Sequence, residues 1–139
     1  MILTDKQYKY VFSKVPRACV DMVVGYKGKL VLVKRAIEPS KDMWSFPGGR
    51  VRHRETIEEA TNRIAKDEIG VGVSIKKLVD YMEFLNEDYQ HSVSLLFLVN
   101  ITDPEIKLNF QSSEVGFFDA LPENMQPQHK EAYEKYRGL

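Results

Sequence analysis

Two patterns of apolar residues alternate along the chain. Short apolar runs or strict alternation are typical of strands, and apolar residues repeated every three to four positions are typical of helices. The strand pattern covers six segments, at about 18–26, 30–33, 48–54, 73–84, 91–101 and 115–118. The helical pattern covers three segments, at about 5–14, 56–69 and 128–136. The stretch 37–47 contains prolines and a serine and predicts a loop. Strands mixed with helices in one chain predict an α/β fold, with a sheet packed against helices.

Capping signals support two of the predicted helices. Thr4 is followed three residues later by Gln7, and Thr56 by Glu59. This is the spacing of a capping box, in which the two side chains satisfy the free N–H groups at the start of a helix. Gly70 follows the second helix and supplies the residue type that most often ends one. The helix over 56–69 therefore has a start signal, a stop signal and a helical repeat.

Composition places the chain among globular proteins. Its 139 residues suit one domain, so we expect a single domain over 1–139. Hydrophobic residues make up 43% and charged residues 29%. This composition argues against a disordered chain, which has low hydrophobicity and high net charge. The 20 basic and 20 acidic side chains give a formal net charge of zero. This balance predicts no nucleic-acid partner and no membrane partner.

Cys19 is the only cysteine in the sequence, so no disulfide can form within the chain. It stands in an apolar run, which favours a buried small hydrophobic residue over a nucleophile. The first residues lack the apolar core of a signal peptide, and no apolar run approaches the roughly 20 residues of a membrane span. We therefore expect a cytoplasmic protein, in a compartment where thiols stay reduced.

The segment 48–71, GGRVRHRETIEEATNRIAKDEIGV, indicates a metal site. Its glycine pair allows backbone carbonyls to approach a ligand without side-chain obstruction. The last turn of the predicted helix carries Asp67 and Glu68. Carboxylates and exposed carbonyls form the hard-oxygen site that Mg²⁺ prefers, because Mg²⁺ keeps several waters and bridges to substrate phosphates.

Three arginines follow the glycine pair at alternate positions, Arg50, Arg52 and Arg54. In an extended chain they would share one side of the strand. Arginine can make bidentate contacts with phosphate oxygens. A metal site, a glycine turn and phosphate-binding arginines together predict pyrophosphate chemistry.

The same segment resembles the Nudix box, G-x5-E-x7-R-E-U-x-E-E-x-G-U, where U is a bulky aliphatic residue. The residues at matching positions are Gly49, Glu55, Arg63, Glu68, Gly70 and Val71. Three positions depart from the pattern, because Ile64 replaces a glutamate, Ala65 a larger aliphatic residue and Asp67 another glutamate. The resemblance implies a Nudix α/β/α sandwich with a mixed β-sheet. It also implies a hydrolase that uses Mg²⁺ or Mn²⁺ on a nucleotide-derived small molecule.

One group of Nudix enzymes, those resembling GDP-mannose mannosyl hydrolase, also has an aliphatic residue at the position of Ile64. The chain shares their PGGRV…ET…R…EIG pattern, an aspartate in the first strand, Asp21, and a Lys34–Arg35 pair before the loop. This resemblance implies that a nucleoside diphosphate sugar is the substrate.

The resemblance also implies roles for particular residues. The metal ligands would be the carbonyl of Gly48 and the side chain of Glu68, with Asp67 at the shortened third position. Arg35 and Arg50 would bind the diphosphate, and a homodimer is expected from the family.

The predicted general base lies late in the chain. The mannosyl hydrolase group uses a loop histidine, but the matching stretch NFQSSEVGFFDALPE has Ser112 or Ser113 at that place. The stretch resembles instead the SEVGFF segment of Nudix enzymes acting on other nucleoside diphosphate derivatives. A loop glutamate is the natural base there, and the match is Glu114. A carboxylate can act as base where its pKa is tuned. The predicted catalytic residues are therefore Glu114, as the base, and Arg50, which would bind the diphosphate.

Three further residues are predicted to contact substrate, each with an alternative. Asp21 lies in an apolar run, which favours a buried paired residue, for example with an arginine, over direct substrate contact. Arg52 is either a phosphate contact or surface charge. His91 either faces the pocket or ends a surface strand.

Four other residues have predicted structural roles. Glu55 and Arg63 pair to brace the turn before the helix, with an indirect contact to the metal, through one of its ligands, as the alternative for Glu55. His53 and His129 are expected to be exposed.

The sequence leaves several functions open. The first is hydrolysis of a nucleoside diphosphate sugar, with attack at phosphorus or at the sugar carbon. The second is pyrophosphohydrolysis of a nucleoside triphosphate or of ADP-ribose. The third is nucleotide binding without cleavage, which the loss of a carboxylate at Ile64 keeps open.

Overall fold

The computed structural model describes residues 2–36, 40–87, 89–102 and 114–137. These residues contain three helices and seven strands. The helices are α1 (Asp5–Phe12), α2 (Ile57–Ile69) and α3 (Pro127–Arg137). The strands are β1 (Arg17–Tyr26), β2 (Lys29–Lys34), β3 (Trp44–Ser45), β4 (Gly48–Arg50), β5 (Val73–Glu87), β6 (Gln90–Ile101) and β7 (Glu114–Phe118).

The strands form one mixed sheet. The strands β1 and β6 run parallel, with Arg17 opposite Ser92 at one end and Val24 opposite Val99 at the other. The other pairings are antiparallel. The mixed sheet that the resemblance implied is therefore confirmed.

The strands β1 and β2 pair only near their connecting turn, from Val24 opposite Val31 to Tyr26 opposite Lys29. Farther from the turn, β4 pairs with β1 and β3 pairs with β2. Because β6 and β7 occupy the outer edges of β1 and β2, the segment 44–50 fills the space between these two strands. This insertion carries the glycine pair into the middle of the sheet.

Each face of the sheet is covered by a helix, because successive residues of a strand point to opposite faces. On one face, Val20 and Val24 belong to a buried cluster with Ile64 of α2. On the other face, Val23 belongs to a second cluster with Ala132 of α3. Burying one such aliphatic side chain stabilises a fold by roughly 1.5–3 kcal/mol. The two clusters hold together the α/β/α sandwich.

The predicted helix boundaries follow from their caps. Thr4 accepts a hydrogen bond from the backbone N–H of Gln7, and Thr56 accepts one from Glu59, each within a complete capping box. Gly70 ends α2 with a φ of 72°, the left-handed conformation that glycine adopts without steric cost. Both capping predictions are confirmed.

Two predicted boundaries were wrong. The loop predicted over 37–47, of which 37–39 lie outside the described residues, contains the strand β3, because Trp44 and Ser45 pair with β2. The strand predicted over 48–54 ends at Arg50, because the chain then turns. In that turn the Glu55 N–H donates to the Arg52 carbonyl over 3.1 Å, and Arg54 has a φ of 64°.

The helices of the described ranges are too short or too polar to cross a membrane. Cys19 is buried, as its apolar surroundings predicted.

Candidate active site

A cleft of about 1080 Å³ opens at the end of the sheet where β1 and β6 begin. Its walls come from α1, the end of β2, the segment 45–50 and the residues just before α3. Single side chains of α2 and α3, Glu68 and His129, also reach it. The cleft is therefore lined by the elements that surround the inserted glycine segment.

Gly48 is the point at which two carboxylates meet. It lies opposite Asp21 on the neighbouring strand, and a Cβ atom at position 48 would stand 1.9 Å from Asp21 Oδ1. Its own N–H donates to Glu68 Oε1 over 3.3 Å. Asp21 and Glu68 thus approach the same glycine from β1 and from α2.

The pairing of β4 with β1 leaves the carbonyl of Gly48 outside the ladder between these two strands. The hydrogen bonds from Met22 N–H to the Pro47 carbonyl and from Val51 N–H to the Ala18 carbonyl set the register of the ladder. Because alternate residues of a strand bond to the same neighbour, Pro47, Gly49 and Val51 face β1, and Gly48 faces away from it. The Gly48 carbonyl is therefore not used in pairing with β1.

The pKa of Glu68 is raised to about 7, mainly by burial and in smaller part by the negative charges of Asp21 and Asp67. The hydrogen bond from Gly48 and the positive charge of Arg35 act in the opposite direction. Burial also raises the pKa of Asp21. A cation placed between these carboxylates would stabilise both charges.

These donors fit a divalent cation that keeps much of its coordination shell. Glu68 and the Gly48 carbonyl are hard oxygens, and Asp21 adds a second buried carboxylate at the same glycine. The described residues contain no group of three or more His, Cys, Asp or Glu side chains arranged around one metal position. Mg²⁺ suits such a sparse site, because it fills its remaining positions with waters and substrate phosphates. Asp67 is exposed and acts on Glu68 through its charge.

Four cationic side chains line the same cleft, Arg17, Lys34, Arg35 and Arg50. The charge of Arg35, a half-buried residue, acts on Asp21, Glu68 and His129, so its guanidinium lies near these three groups. The guanidinium of Arg50 lies 5.5 Å from the ring centre of Tyr8 and 5.3 Å from that of Phe12, both on α1. An anionic ligand in the cleft would therefore meet several positive charges beside the carboxylates.

Arg17 is a cleft residue that sequence reasoning missed. Its guanidinium donates to Ser92 Oγ over 3.0 and 2.7 Å and to the Tyr8 hydroxyl over 2.7 Å. Alternation along β1 was the available signal, because Arg17, Cys19 and Asp21 occupy every second position and share one face. Ser92 and Ser94 occupy the matching face of β6 and also line the cleft.

Glu55 and Arg63 brace the turn that leads into α2. The Arg63 guanidinium donates to both carboxylate oxygens of Glu55, over 2.7 and 2.9 Å, and to the carbonyl of Arg50 over 2.9 Å. The other partner of Glu55 is the backbone N–H of Arg52. Neither side chain lines the cleft, so the structure favours the bracing role over a metal contact for Glu55.

Ile64 is buried beneath the glycine pair, with 3% of its surface exposed. A Cβ atom at Gly49 would stand 3.3 Å from Ile64 Cδ1. The position that carries a glutamate in the Nudix box therefore packs here against the backbone of β4. Its place in the core explains why an aliphatic residue suits it.

Asp21 is buried, as its apolar surroundings predicted, and its partners include Ser94 and His129. The Ser94 hydroxyl donates to Asp21 Oδ2, and His129 Nε2 lies 3.9 Å from Asp21 Oδ1. The prediction that His129 is exposed was wrong, since 8% of its side-chain surface is exposed. It stands three residues before Ala132, on the face of α3 that packs against the sheet.

Four predicted site residues lie apart from the described lining of the cleft, namely Arg52, Asp67, His91 and Glu114. Arg52 is exposed because the chain turns after Arg50. His91 alternates with Ser92 along β6 and so faces away from the cleft, which favours the surface position over the pocket among its two predicted alternatives. Its neighbours in the chain, Gln90 and Ser92, line the cleft instead.

Glu114 begins β7 opposite Lys34, and its Oε2 lies 3.7 Å from Lys34 Nζ. Because Lys34 lines the cleft, Glu114 lies one strand away from the cleft wall. Its side chain is 65% exposed. Ser112 and Ser113 lie outside the described residues.

A sheet between two helical layers, with carboxylates and cationic side chains around an inserted glycine segment, forms a cleft that suits a divalent cation and an anionic ligand. A family model described as the NUDIX domain matches residues 14–136, and the chain belongs to this family.

Relatives and solved structures agree with this assignment. The chain is 28% identical over 132 residues to the low-salt glycan biosynthesis protein Agl8 of Haloferax volcanii, a match that covers 90% of this chain and 85% of that protein. It is 32% identical over 112 residues to an ADP-ribose pyrophosphatase of Methanocaldococcus jannaschii, covering 80% and 66% of the two chains. Among solved structures, a MutT NUDIX hydrolase from Burkholderia pseudomallei superposes with a TM-score of 0.74 at 23% identity, covering 87% of this chain and 98% of that one.

The protein is therefore a Nudix hydrolase. Enzymes of this family act on small nucleotide-derived substrates and generally use divalent metals such as Mg²⁺ or Mn²⁺.

Proposed function

We propose that this enzyme hydrolyses a nucleoside diphosphate linked to a second group, and that the second group is a sugar. The observation that carries the proposal is the meeting of Asp21 and Glu68 at Gly48, beside the cationic side chains of Arg35 and Arg50. Carboxylates suit a divalent cation, and guanidinium groups suit phosphate oxygens. A diphosphate with its bound cation requires both.

Glu68 and the Gly48 carbonyl would hold Mg²⁺, or Mn²⁺ in its place. When bound, the cation neutralises the diphosphate charge and polarises its phosphoryl oxygens. Asp67 would add negative potential from the exposed side of the same helical turn. Arg35 and Arg50 would bind the diphosphate oxygens that remain and orient the bond to be cleaved.

The proposed base is Glu114, at the start of β7. Its carboxylate would accept a proton from a water as the water oxygen forms a bond to phosphorus or to the sugar carbon. The bond from that atom to the bridging oxygen breaks at the same time, and the bridging oxygen leaves with the other half of the substrate. The ion pair with Lys34 keeps the Glu114 carboxylate near the cleft wall.

Two relatives support different second groups. The name of the Haloferax protein refers to glycan biosynthesis, which fits a sugar nucleotide. The archaeal ADP-ribose pyrophosphatase favours ADP-ribose as the second candidate substrate. Both candidates contain a nucleoside diphosphate joined to a sugar ring.

A substrate panel tests the proposal. Nucleoside diphosphate sugars, ADP-ribose, nucleoside triphosphates and dinucleotides are each assayed with Mg²⁺ and with Mn²⁺. Turnover that is fastest on a nucleoside diphosphate sugar and absent with chelator is expected. Fastest turnover on a triphosphate would contradict the proposal, and binding without turnover across the panel would favour a binding module.

Isotopic water locates the bond that is cleaved. For the best substrate, hydrolysis is repeated in water labelled with oxygen-18. Label in the phosphate product indicates attack at phosphorus, and label in the sugar product indicates attack at carbon.

A further inference from the structure

We propose that His129 is a positioning residue of this active site. Its Nε2–H and the hydroxyl of Ser94 would fix the two oxygens of the Asp21 carboxylate above Gly48. The kinetic part of the proposal rests on the proposed function, whereas its structural part does not.

The ring of His129 is held in one orientation. Its Nδ1 accepts a hydrogen bond from the backbone N–H of Phe46 over 3.0 Å. The ring stacks on the Phe46 side chain, with centroids 5.2 Å apart and an interplanar angle of 13°. The His129 backbone N–H donates to Gln126 Oε1 over 2.9 Å. The ring therefore cannot turn without losing contacts to the glycine segment.

These contacts assign the proton of the ring. A nitrogen that accepts a hydrogen bond has no proton, and a neutral imidazole carries its single proton on the other nitrogen. Donation from Phe46 to Nδ1 thus requires the proton on Nε2. The Nε2–H is the polar group that His129 offers to the cleft.

His129 Nε2 lies 3.9 Å from one oxygen of Asp21, Oδ1. This separation exceeds a direct hydrogen bond, so the Nε2–H would act on the carboxylate electrostatically, and the burial of both groups strengthens that interaction. The other oxygen, Oδ2, accepts from Ser94. Oδ1 also lies against Gly48, where no Cβ atom fits.

One histidine therefore sets two parts of the active site. Through Nδ1 it holds the backbone of Phe46, two residues before Gly48. Through Nε2–H it orients the carboxylate that faces Gly48. Loss of either contact would change the position of Asp21 relative to the glycine.

A pair of variants separates these two contacts. In His129→Asn, the amide oxygen takes the place of Nδ1 and can accept from Phe46, but no donor reaches Asp21. In His129→Gln, the amide nitrogen takes the place of Nε2 and can donate to Asp21, but the Phe46 contact is lost. For a positioning role, His129→Asn should lower kcat/KM about 10- to 100-fold, the usual effect of losing an outer partner of a metal site. His129→Gln should recover most of that loss.

Double variants test the route through Asp21. Adding His129→Asn to Asp21→Asn should cost no further activity, because contacting groups that act through one another are not additive. Ser94→Ala, combined with Asp21→Asn in the same way, provides a second test without a change in α3. Additive losses of activity in both double variants would overturn the proposal. The proposal would also be overturned if His129→Asn and His129→Gln lost kcat/KM equally and in proportion to their lowered melting temperatures.

Nitrogen-15 NMR of the imidazole rings gives a readout that does not depend on activity. The wild-type spectrum should show His129 with its proton on Nε2, with His53→Asn and His129→Gln used to assign the signals. A proton on Nδ1 would overturn the proposal. If no substrate of the panel turns over, the proposed function fails and the NMR result still decides the arrangement of His129.

Discussion

Asp21 and Gly48 lie opposite each other on β1 and β4, so close that a Cβ atom at position 48 would stand 1.9 Å from Asp21 Oδ1. The same atom would stand 2.7 Å from the carbonyl oxygen of Val20. Glycine is required here by a close approach of strand and carboxylate. The glycine at position 48 therefore leaves the space in which the buried carboxylate of Asp21 lies.

Gly48→Ala should therefore disrupt both stability and function. We expect the free energy of unfolding to fall by roughly 1–3 kcal/mol, as for other overpacked sites, and turnover to be lost because Asp21 must move. Chemical denaturation and turnover on the best panel substrate measure the two effects. Gly25→Ala is the matched control, since a Cβ atom there would meet only the Lys29 carbonyl oxygen, at 4.0 Å. A Gly48→Ala enzyme with wild-type rate would show that the Asp21 position is not needed.

Glu68→Gln should remove most activity and leave the protein folded. The amide oxygen of glutamine can still accept the N–H of Gly48, so the hydrogen bond at 3.3 Å is retained while the negative charge is lost. Titration of the rate with Mg²⁺ should show a higher half-saturating concentration, because a charged ligand of the cation is missing. Glu58→Gln, in the exposed first turn of α2, should titrate as wild type. A near-wild-type rate for Glu68→Gln at limiting Mg²⁺ would remove Glu68 from the metal site.

Arg50→Ala should raise KM and lower turnover. The expected loss in kcat/KM corresponds to about 1.5–3 kcal/mol, the range for hydrogen bonds to a charged group. The variant also loses the contact of the guanidinium with Tyr8 and Phe12, so the melting temperature must be measured beside the kinetics. Arg54→Ala, in the exposed turn, should change neither. Equal kinetic losses from the two variants would contradict a specific phosphate contact at Arg50.

Local signals account for the parts of the fold that the sequence predicted. Thr56 and Glu59 define the start of α2 within four residues, and Gly70 defines its end. Such signals need no knowledge of the rest of the chain. The strand β3 could not be found in this way, because Trp44 and Ser45 form a strand only by pairing with β2.

The active site was predictable where the Nudix box fixes spacing and not where the tertiary fold brings residues together. Glu68 belongs to the box, Gly48 directly precedes it, and the two residues meet in the cleft. His129 and Arg17 come from α3 and from the start of β1, and no motif marks them. Their signals were weaker, namely the helical spacing to Ala132 and the alternation with Cys19 and Asp21.

Glu114→Gln tests the proposed base. Turnover should fall roughly 10²- to 10⁴-fold, the usual contribution of general acid–base catalysis, with little change in the Mg²⁺ dependence. The variant also breaks the exposed ion pair with Lys34. Asp119→Asn is the matched control, because it breaks a similar exposed pair, with Lys29 at 3.0 Å. Each pair contributes at most about 1 kcal/mol to stability. A fully active Glu114→Gln enzyme would place the base elsewhere.

Glu55→Gln should make stability less dependent on pH. The hydrogen bonds from Arg63 lower the pKa of Glu55 from 4.5 to about 2. A carboxylate with a lowered pKa stabilises the fold fully above its unfolded value and loses this contribution as pH falls toward its folded value. The contribution should thus be complete above pH 4.5 and disappear as pH approaches 2.

Denaturation curves for wild type and Glu55→Gln between neutral pH and pH 2 measure this difference. At neutral pH the variant should be less stable by about 1.5–3 kcal/mol, the range for hydrogen bonds to a charged group. The two curves should converge near pH 2, where wild-type Glu55 also becomes protonated. Glu123→Gln, an exposed carboxylate, should follow the wild-type curve throughout. A constant difference between wild type and Glu55→Gln at every pH would show that the variant loses packing, and that the charge of Glu55 does not brace the turn before α2.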